Sequence, residues 1–549
     1  MTLTRRSLLA TSAAVAAAAT AAIPAQAAEP TALWPEFRRN PYNHPQIPFV
    51  GTAGYSFGSR TRPHHAVRAD VTDFGALPDG SADAAPAINA AIEYVGAKGG
   101  GAVQVPPGTY RIDDVIRIGY DNVVLRGAGS SHTTFYATHS LEEAIGINRS
   151  RYGNSPNSAW SWSGGMVWIC PKERYEALTT AIKAHDWPFE GWTGNDADEA
   201  KTLTEVTAPA ARGDFTLDVA DARHLHPGDR VMLQLDDDAD HTLLAAMSGD
   251  VPGTADYVWS DKTKLLSYAP FNWPVRIAKV RHNRITLAQP LPLPVRAAWN
   301  PRISNVPHLI ANSGVEGITI ELIKTIRPAH LQDKGYNALA IQCAWDCWAD
   351  DIHAVNADNG FLYVSAKNCT MSRTRNSGRG SHHSYACREQ SHDNVFEDFT
   401  LDAFTEPPTP GSGHHGINVE GLSCGNVWSR GHMDAGTFDS HRGLPFGNVR
   451  TEITVFNDGA HGGSADAGPL YGARFTHWNV TVTNGRAGCI KIDDIAPCSA
   501  TVAISTVSPF GQIDKPDFKG ALNSRLELYG TPEAAVPRNL YEAQRALCH

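Results

Sequence analysis

The dipeptide Asn-Val recurs at Asn394-Val395, Asn426-Val427 and Asn448-Val449. The segments around it read "ACREQSHDNVFEDFTL", "INVEGLSCGNVWSRGHM" and "FDSHRGLPFGNVRTEIT". Similar short apolar runs stand at "EGITIEL", "DDIHAVNA", "NCTMSRT", "RFTHWNVTV", "CIKI" and "TVAIS". Spacings of roughly twenty to thirty residues suit one coil of a solenoid per repeat. Each repeat carries short strands with alternating burial, so an all-β stack of coils is expected. The asparagines should stack at a tight corner, where Asn tolerates a strained backbone and can pair with its neighbours.

A second block, Val71 to Ile112, reads "VTDFGALPDGSADAAPAINAAIEYVGAKGGGAVQVPPGTYRI". A strand meets Gly75 and the turn Pro78-Asp79-Gly80. Asp83 stands where a helix N-cap is expected, and Ala87, Ile88, Ala91 and Ile92 form an apolar stripe. Gly99 to Gly101 stop the helix, and "AVQVPPGTY" returns as a strand and turn. Such a helix can cap the open end of a sheet stack. The residues "DFGA", "DG", "D", "AI", "GGG" and "PPGTY" resemble the N-terminal segment of the pectate lyase-like superfamily. That resemblance implies a right-handed parallel β-helix, and a carbohydrate-active protein among hydrolases, lyases, epimerases and phage tail fibres. Within it, polygalacturonases carry four motifs. Here "CIKI" matches only the last, Gly413-His414-His415-Gly416 is an imperfect echo of the third, and Asp350-Asp351 lacks the first motif before it. Their mechanism does not transfer.

The remaining chain sets the boundaries. Arg5 and Arg6 precede an alanine-rich run ending at Ala25-Gln26-Ala27, which resembles a twin-arginine export signal. The run is too short and too rich in alanine for a membrane anchor, and no later segment could span a bilayer. A secreted, extracellular protein is expected. Residues 28–170 hold the first coils, and residues 171–302 break the repeat. That stretch contains "RGDFTLDVADARHLHPGDRVMLQL" and "PVRIAKVRHNRITLAQPLPLPV", read as an inserted small β domain that opens with a helix near Tyr175 to His185. Trp160, Trp162, Trp168, Trp187, Trp192, Trp259, Trp273 and Trp299 lie in or just before it. They suit either stacking on sugar rings or packing the insert on the solenoid. The main coils follow over 303–510, and a tail with a closing helix over 511–549. The net charge of −10 argues against nucleic acid as partner. Oligomeric state is not legible. All nine cysteines follow the leader, none with zinc-ribbon spacing, and Cys489 and Cys498 could close a short loop.

The stretch Gly413–Gly443, "GHHGINVEGLSCGNVWSRGHMDAGTFDSHRG", concentrates titratable groups. Counting back from each Asn-Val corner puts Arg388, Glu420 and Arg442 at one offset, an outward ladder facing a groove beside Asn418. His441 then shares its offset with Cys387 and Val419, and Asp439 with Tyr385 and Ile417, which are core-type partners unless the backbone kinks there. His382, His383, His414 and His415 approach from loops, and Lys491, Asp493 and Asp494 lie further along. The insert should overhang the same groove, since a cleft needs two sides. Glu420 and Asp439, with Glu389 in reserve, are candidates for the paired carboxylates of glycoside hydrolysis. Arg388 and Arg442 would tune them and hold an anionic group. Elimination at a uronate would instead use Arg442, His441 and His415. Hydrolysis of a polysaccharide is the leading expectation, with a lyase, an epimerase and a non-catalytic binding solenoid as alternatives. No metal or cofactor is expected from the motifs. The run Asp236-Asp237-Asp238-Ala239-Asp240 admits calcium but lacks the alternation of a calcium loop, so an exposed turn is the simpler reading.

Overall fold

The computed structural model describes residues 31–548 apart from 151–156, 188–190, 194–198, 260–269, 407–408, 410–411, 464–466, 486–495 and 506–516. The export signal lies outside the described residues.

The architecture is a right-handed parallel β-helix. One long sheet runs through Val67–Asp70, Gly101–Gln104, Val123–Arg126, Gly314–Leu322, Trp348–Val355, Thr370–Ser377, Val395–Leu401, Val427–Met433, Val449–Val455, Thr476–Val482, Ala500–Ile504 and Arg525–Glu527. A second sheet faces it. It runs from Ile116–Ile118 through Val167–Ile169, Leu339–Trp345, Asn359–Lys367, His383–Arg388 and Gly416–Val419 to Thr437–Phe438. From Gly314–Leu322 to Thr437–Phe438 the chain alternates between the sheets, one strand to each per coil, and the inward side chains form one continuous apolar core.

The corners are as expected in register, since Val395, Val427 and Val449 pair directly. The backbone N–H and side-chain amide of Asn394 both donate to Asn426 Oδ1 at 3.0 Å, and those of Asn426 donate to Asn448 Oδ1 at 3.0 Å. The strained conformation falls one residue earlier than expected. Asp393, Gly425 and Gly447 have φ of 56°, 74° and 61°. A Cβ at position 425 would meet Asp393 Oδ1 at 2.2 Å, so the middle coil requires glycine there.

The helix Ala85–Gly96 covers the first coils with Ala85, Ile88, Ala91, Ile92 and Val95 buried. Asp83 serves its start from one position outside the N-cap, accepting from Ala85 N at 3.0 Å. The helix Lys172–Lys183 precedes the insert's six-stranded antiparallel sheet. That sheet begins at Thr202–Glu205, ends at Arg302–Asn305, and is centred on Arg230–Leu235 and Phe271–Arg281. Its core is shared with Leu422, Cys424, Leu444 and Phe446, so the insert packs on the turns that follow the second sheet. Trp160, Trp168, Trp192, Trp273 and Trp299 are fully buried, which assigns these five to packing rather than to sugar stacking. The last helix, Leu540–Arg545, does not close the solenoid's far end. It lies along the flank of the long sheet beside the helix Leu33–Arg39, with Tyr541 Oη donating to Ala53 O at 2.8 Å. Among the described cysteines all are free thiols, Cys498 included, and Cys489 lies outside the described residues.

Candidate active site

The end of the second sheet holds the titratable stretch, and its register differs from the corner count. Gly416 pairs with Thr437 and Ile417 with Phe438. The ladder continues, as Asp439 N donates to Ile417 O at 2.9 Å and His441 N to Val419 O at 3.0 Å. Asp439 therefore stands beside Asn418, and His441 beside Glu420. At the following turn the count has moved by one, since Leu422 N donates to Gly443 O at 2.7 Å. Arg442, with φ 69°, is the extra residue. It is a bulge between wall and turn, and a one-residue slip moves every side chain to the other face. The lateral line is thus Arg388–Glu420–His441, and Arg442 is not in it. Asp439 and His441 are on the outward side, not on the core line of Ile417 and Val419.

That outward side is covered rather than open. Arg388 and Glu420 form an ion pair with both side chains only 6% exposed, and the Trp162 ring lies 5.5 Å from the Arg388 guanidinium. The insert reaches only the turn beyond them, where Trp192 Nε1 donates to Gln390 O at 3.0 Å and Asn272 N to Gln390 Oε1 at 2.6 Å. Arg442 points away, donating to Gly463 O, Gly468 O and Asp517 Oδ1 at 3.0–3.2 Å. Arg442→Ala is accordingly expected to cost about 1–2 kcal/mol of stability and leave turnover unchanged. Loss of turnover in a variant of unaltered stability would put Arg442 back in the site.

Asp439 is the hub. It is wholly buried, yet five polar groups approach its oxygens, three of them within hydrogen-bond distance. Asn418 Nδ2 donates to Oδ2 at 2.7 Å, and Gly462 N to Oδ1 at 2.7 Å. His441 Nδ1 lies 3.2 Å and His415 Nδ1 3.4 Å from Oδ2, with His461 Nδ1 3.8 Å from Oδ1. Burial alone would raise this carboxyl's pKa. The imidazoles of His415, His441 and His461 outweigh it and hold the group well below the usual carboxylate range. Gly462 is required by space, for a Cβ there would meet the His441 ring at 2.2 Å. Below the hub, the fully buried Arg450 donates to Asp439 O at 2.8 Å and sits among the rings of Trp428, Phe438 and Phe475.

Four imidazoles crowd this point. Ring centroids of His383, His415 and His441 are 4.9–5.4 Å apart, and His382 lies 4.0 Å from His383. Burial first, then the neighbouring positive groups, push His382 and His383 well below the ordinary histidine range, and burial takes His415 down to about 4 against the opposing pull of the Asp439 carboxylate. These rings are neutral at physiological pH. His441, 15% exposed at its side chain, is the most accessible of the four. Buried polar atoms without a partner accumulate here: Nε2 of His382, His383 and His415, Oδ1 of Asn418 and Nη1 of Arg388. Buried polar atoms in folded proteins are nearly always paired, with protein groups or with ordered water, so these five atoms are the ones here open to a further partner.

The other expected residues lie elsewhere. His414 faces away, 3.1 Å from Asp458 Oδ1 and edge-on to Phe404, beside an open depression of about 480 Å³. Glu389 is buried in the turn with φ 48°. Lys491, Asp493 and Asp494 lie outside the described residues. In the acidic run, Asp236 pairs with Arg302, Asp237 with His241 and Asp238 with Thr242, so three of its carboxylates are occupied by neighbours. His330, His461 and Gly462 were not legible as site residues, because each sits on a loop with no repeat spacing to carry it inward.

Comparison with known proteins bears on the fold more than on this site. Residues 69–171 match the family model "Rhamnogalacturonase A/epimerase, pectate lyase-like". Mannuronan C5-epimerase AlgE6 of Azotobacter vinelandii is 41% identical over 97 residues, 16% of this chain and 11% of that protein. Alginate lyase 7 of the same organism is 38% identical over 91 residues, 15% of this chain and 11% of that protein. The chain thus spans about a tenth of the length of these relatives. Among solved structures, the tailspike gp49 of Pseudomonas phage LKA1 is similar with a TM-score of 0.44 at 13% identity, covering 81% of this chain and 72% of that one. The strand topology is that of a parallel β-helix, and residues 69–171 are similar to the pectate lyase-like family.

Proposed function

We propose that this chain is an exported polysaccharide-modifying enzyme that removes a proton beside the carboxylate of a uronate residue, with His441 as the base. The observation that carries this reading is the Asp439–His441 pair. A buried ionised carboxylate orients one ring nitrogen and leaves the other towards solvent, the arrangement that acid–base chemistry requires. After proton removal two outcomes balance. The electron pair can form a double bond as the glycosidic C–O bond breaks and the leaving oxygen takes a proton. Alternatively, a proton returns to the opposite face and inverts the carbon. The similarity to a mannuronan epimerase and an alginate lyase over a short part of this chain supports a uronate as substrate.

Hydrolysis by two carboxylates fits this geometry less well. A general acid must be free to hold and deliver a proton. Asp439 is enclosed by donors that keep it ionised, and Glu420 is ion-paired with Arg388.

Incubation with polymannuronate, polyguluronate, polygalacturonate and a neutral glucan tests the reading. Ultraviolet absorbance of an unsaturated uronate end, or inverted uronate stereochemistry by NMR without chain shortening, is expected on one of the acidic polymers. New reducing ends without absorbance would make the protein a hydrolase. No change on any polymer, together with retained binding, would make it a binding solenoid.

A further inference from the structure

Behind the reacting pair lies a second set of imidazoles that the reaction does not use. His382 Nδ1 is 2.9 Å from Ser161 O, and His415 Nδ1 is 2.5 Å from Ala460 O. A carbonyl only accepts, so each Nδ1 carries the hydrogen and each Nε2 is a lone pair. Both Nε2 atoms are buried and have no partner. Two buried lone pairs facing no donor are costly unless a cation or a proton donor sits between them. A metal-ligating histidine commonly ties its other nitrogen to a carbonyl or carboxylate in this way. His382 has both kinds, since Asp333 Oδ2 lies 3.5 Å from the same Nδ1.

His330 completes the set. It is exposed on the loop after Gly314–Leu322, and its ring stands edge-on to His382 at 5.0 Å. One nitrogen from each of His330, His382 and His415 falls within 4.8 Å of the other two. A metal held at about 2.0–2.1 Å by imidazole nitrogens in tetrahedral geometry sets ring centroids roughly 5 Å apart. The observed separations are 5.0 Å for His330–His382, 5.2 Å for His382–His415 and 6.3 Å for His330–His415. Two match, and the third closes by a shift of about 1 Å in the exposed His330 ring.

We propose that His330, His382 and His415 bind one divalent transition-metal ion of the zinc class, with its fourth position open towards the loop. Three nitrogen donors suit zinc, cobalt or nickel and disfavour calcium, which takes oxygen ligands. The exposed His330 gives the ion an entry path. The site goes beyond the proton-transfer reading, because neither His441 nor any donor oxygen of Asp439 belongs to it.

The test is metal binding, not turnover. Untagged, metal-stripped full-length protein is titrated with Zn²⁺ by calorimetry and with Co²⁺ by visible absorption. One ion per chain is expected, with the intense absorption bands of four-coordinate cobalt. His382→Ala, His415→Ala and His330→Ala should each weaken binding by at least about tenfold. His330 is exposed, so its variant folds even if the two buried substitutions do not. The exposed His226→Ala should bind as the parent does. Absence of saturable binding would overturn the proposal. So would affinity unaltered by His330→Ala, or Ca²⁺ competing equally for the same site.

Discussion

His441→Ala is expected to lower turnover of the acidic polymer by roughly 10²–10⁴-fold, the range that a positioned acid–base group contributes. The side chain is partly exposed and donates only to Asp439, so the folded structure should survive, with an unchanged urea midpoint. Asp439→Asn probes the same step from behind. The amide has the size of the carboxylate but can present N–H to His441 Nδ1, which favours the wrong ring tautomer. Its loss should be about 10²-fold or more and should fall on kcat with KM little altered, the signature of an interaction made in the transition state. Turnover within about threefold of the parent in both variants would remove the pair from the mechanism.

The largest effect on stability is expected at the corner ladder. Asn426 Oδ1 accepts from Asn394 N and Nδ2, while its own Nδ2 donates to Ser391 O at 2.9 Å and to Asn448 Oδ1 at 3.0 Å. All three asparagines are completely buried. Asn426→Ala deletes about four hydrogen bonds and leaves donors on Asn394 with no water in reach. A loss of roughly 3–4 kcal/mol follows at about 1 kcal/mol per bond, read as a fall in the urea unfolding midpoint. A loss under about 1 kcal/mol would mean that water enters the corner and replaces the amide.

How far the chain could be read without coordinates depended on the range of the interaction involved. The solenoid was legible because each coil repeats its neighbour. Asn394, Asn426 and Asn448 announce a corner, and the apolar alternation around them announces two sheets. The capping helix was legible because its stripe of Ile88, Ala91 and Ile92 is local. The titratable stretch Gly413–Gly443 stands out in the sequence, and His383, His415, Asn418, Asp439 and His441 lie together in the structure. Its internal order was not legible. Counting from the corner assumed a constant coil length, and Arg442 adds one residue between wall and turn. That bulge exchanges Arg442 for His441 in the lateral line and brings Asp439 out of the core line to meet Asn418.

Composition, repeat and periodicity by themselves determined that this chain stacks coils, caps the first of them with a helix, and gathers imidazoles and carboxylates near one end. Those are consequences of side-chain period and local turn chemistry, which act over a few residues. Tertiary structure alone decided which groups touch. It buried the Arg388–Glu420 pair beneath Trp162, turned His414 away to Asp458, and brought His330, His461 and Gly462 in from loops. The physical reason is that a loop's path is set by the surface it packs on, and a bulge shifts register by 3.3 Å per residue along a strand. Neither leaves a periodic trace in the sequence, yet together they decide whether a carboxylate meets a histidine or an isoleucine.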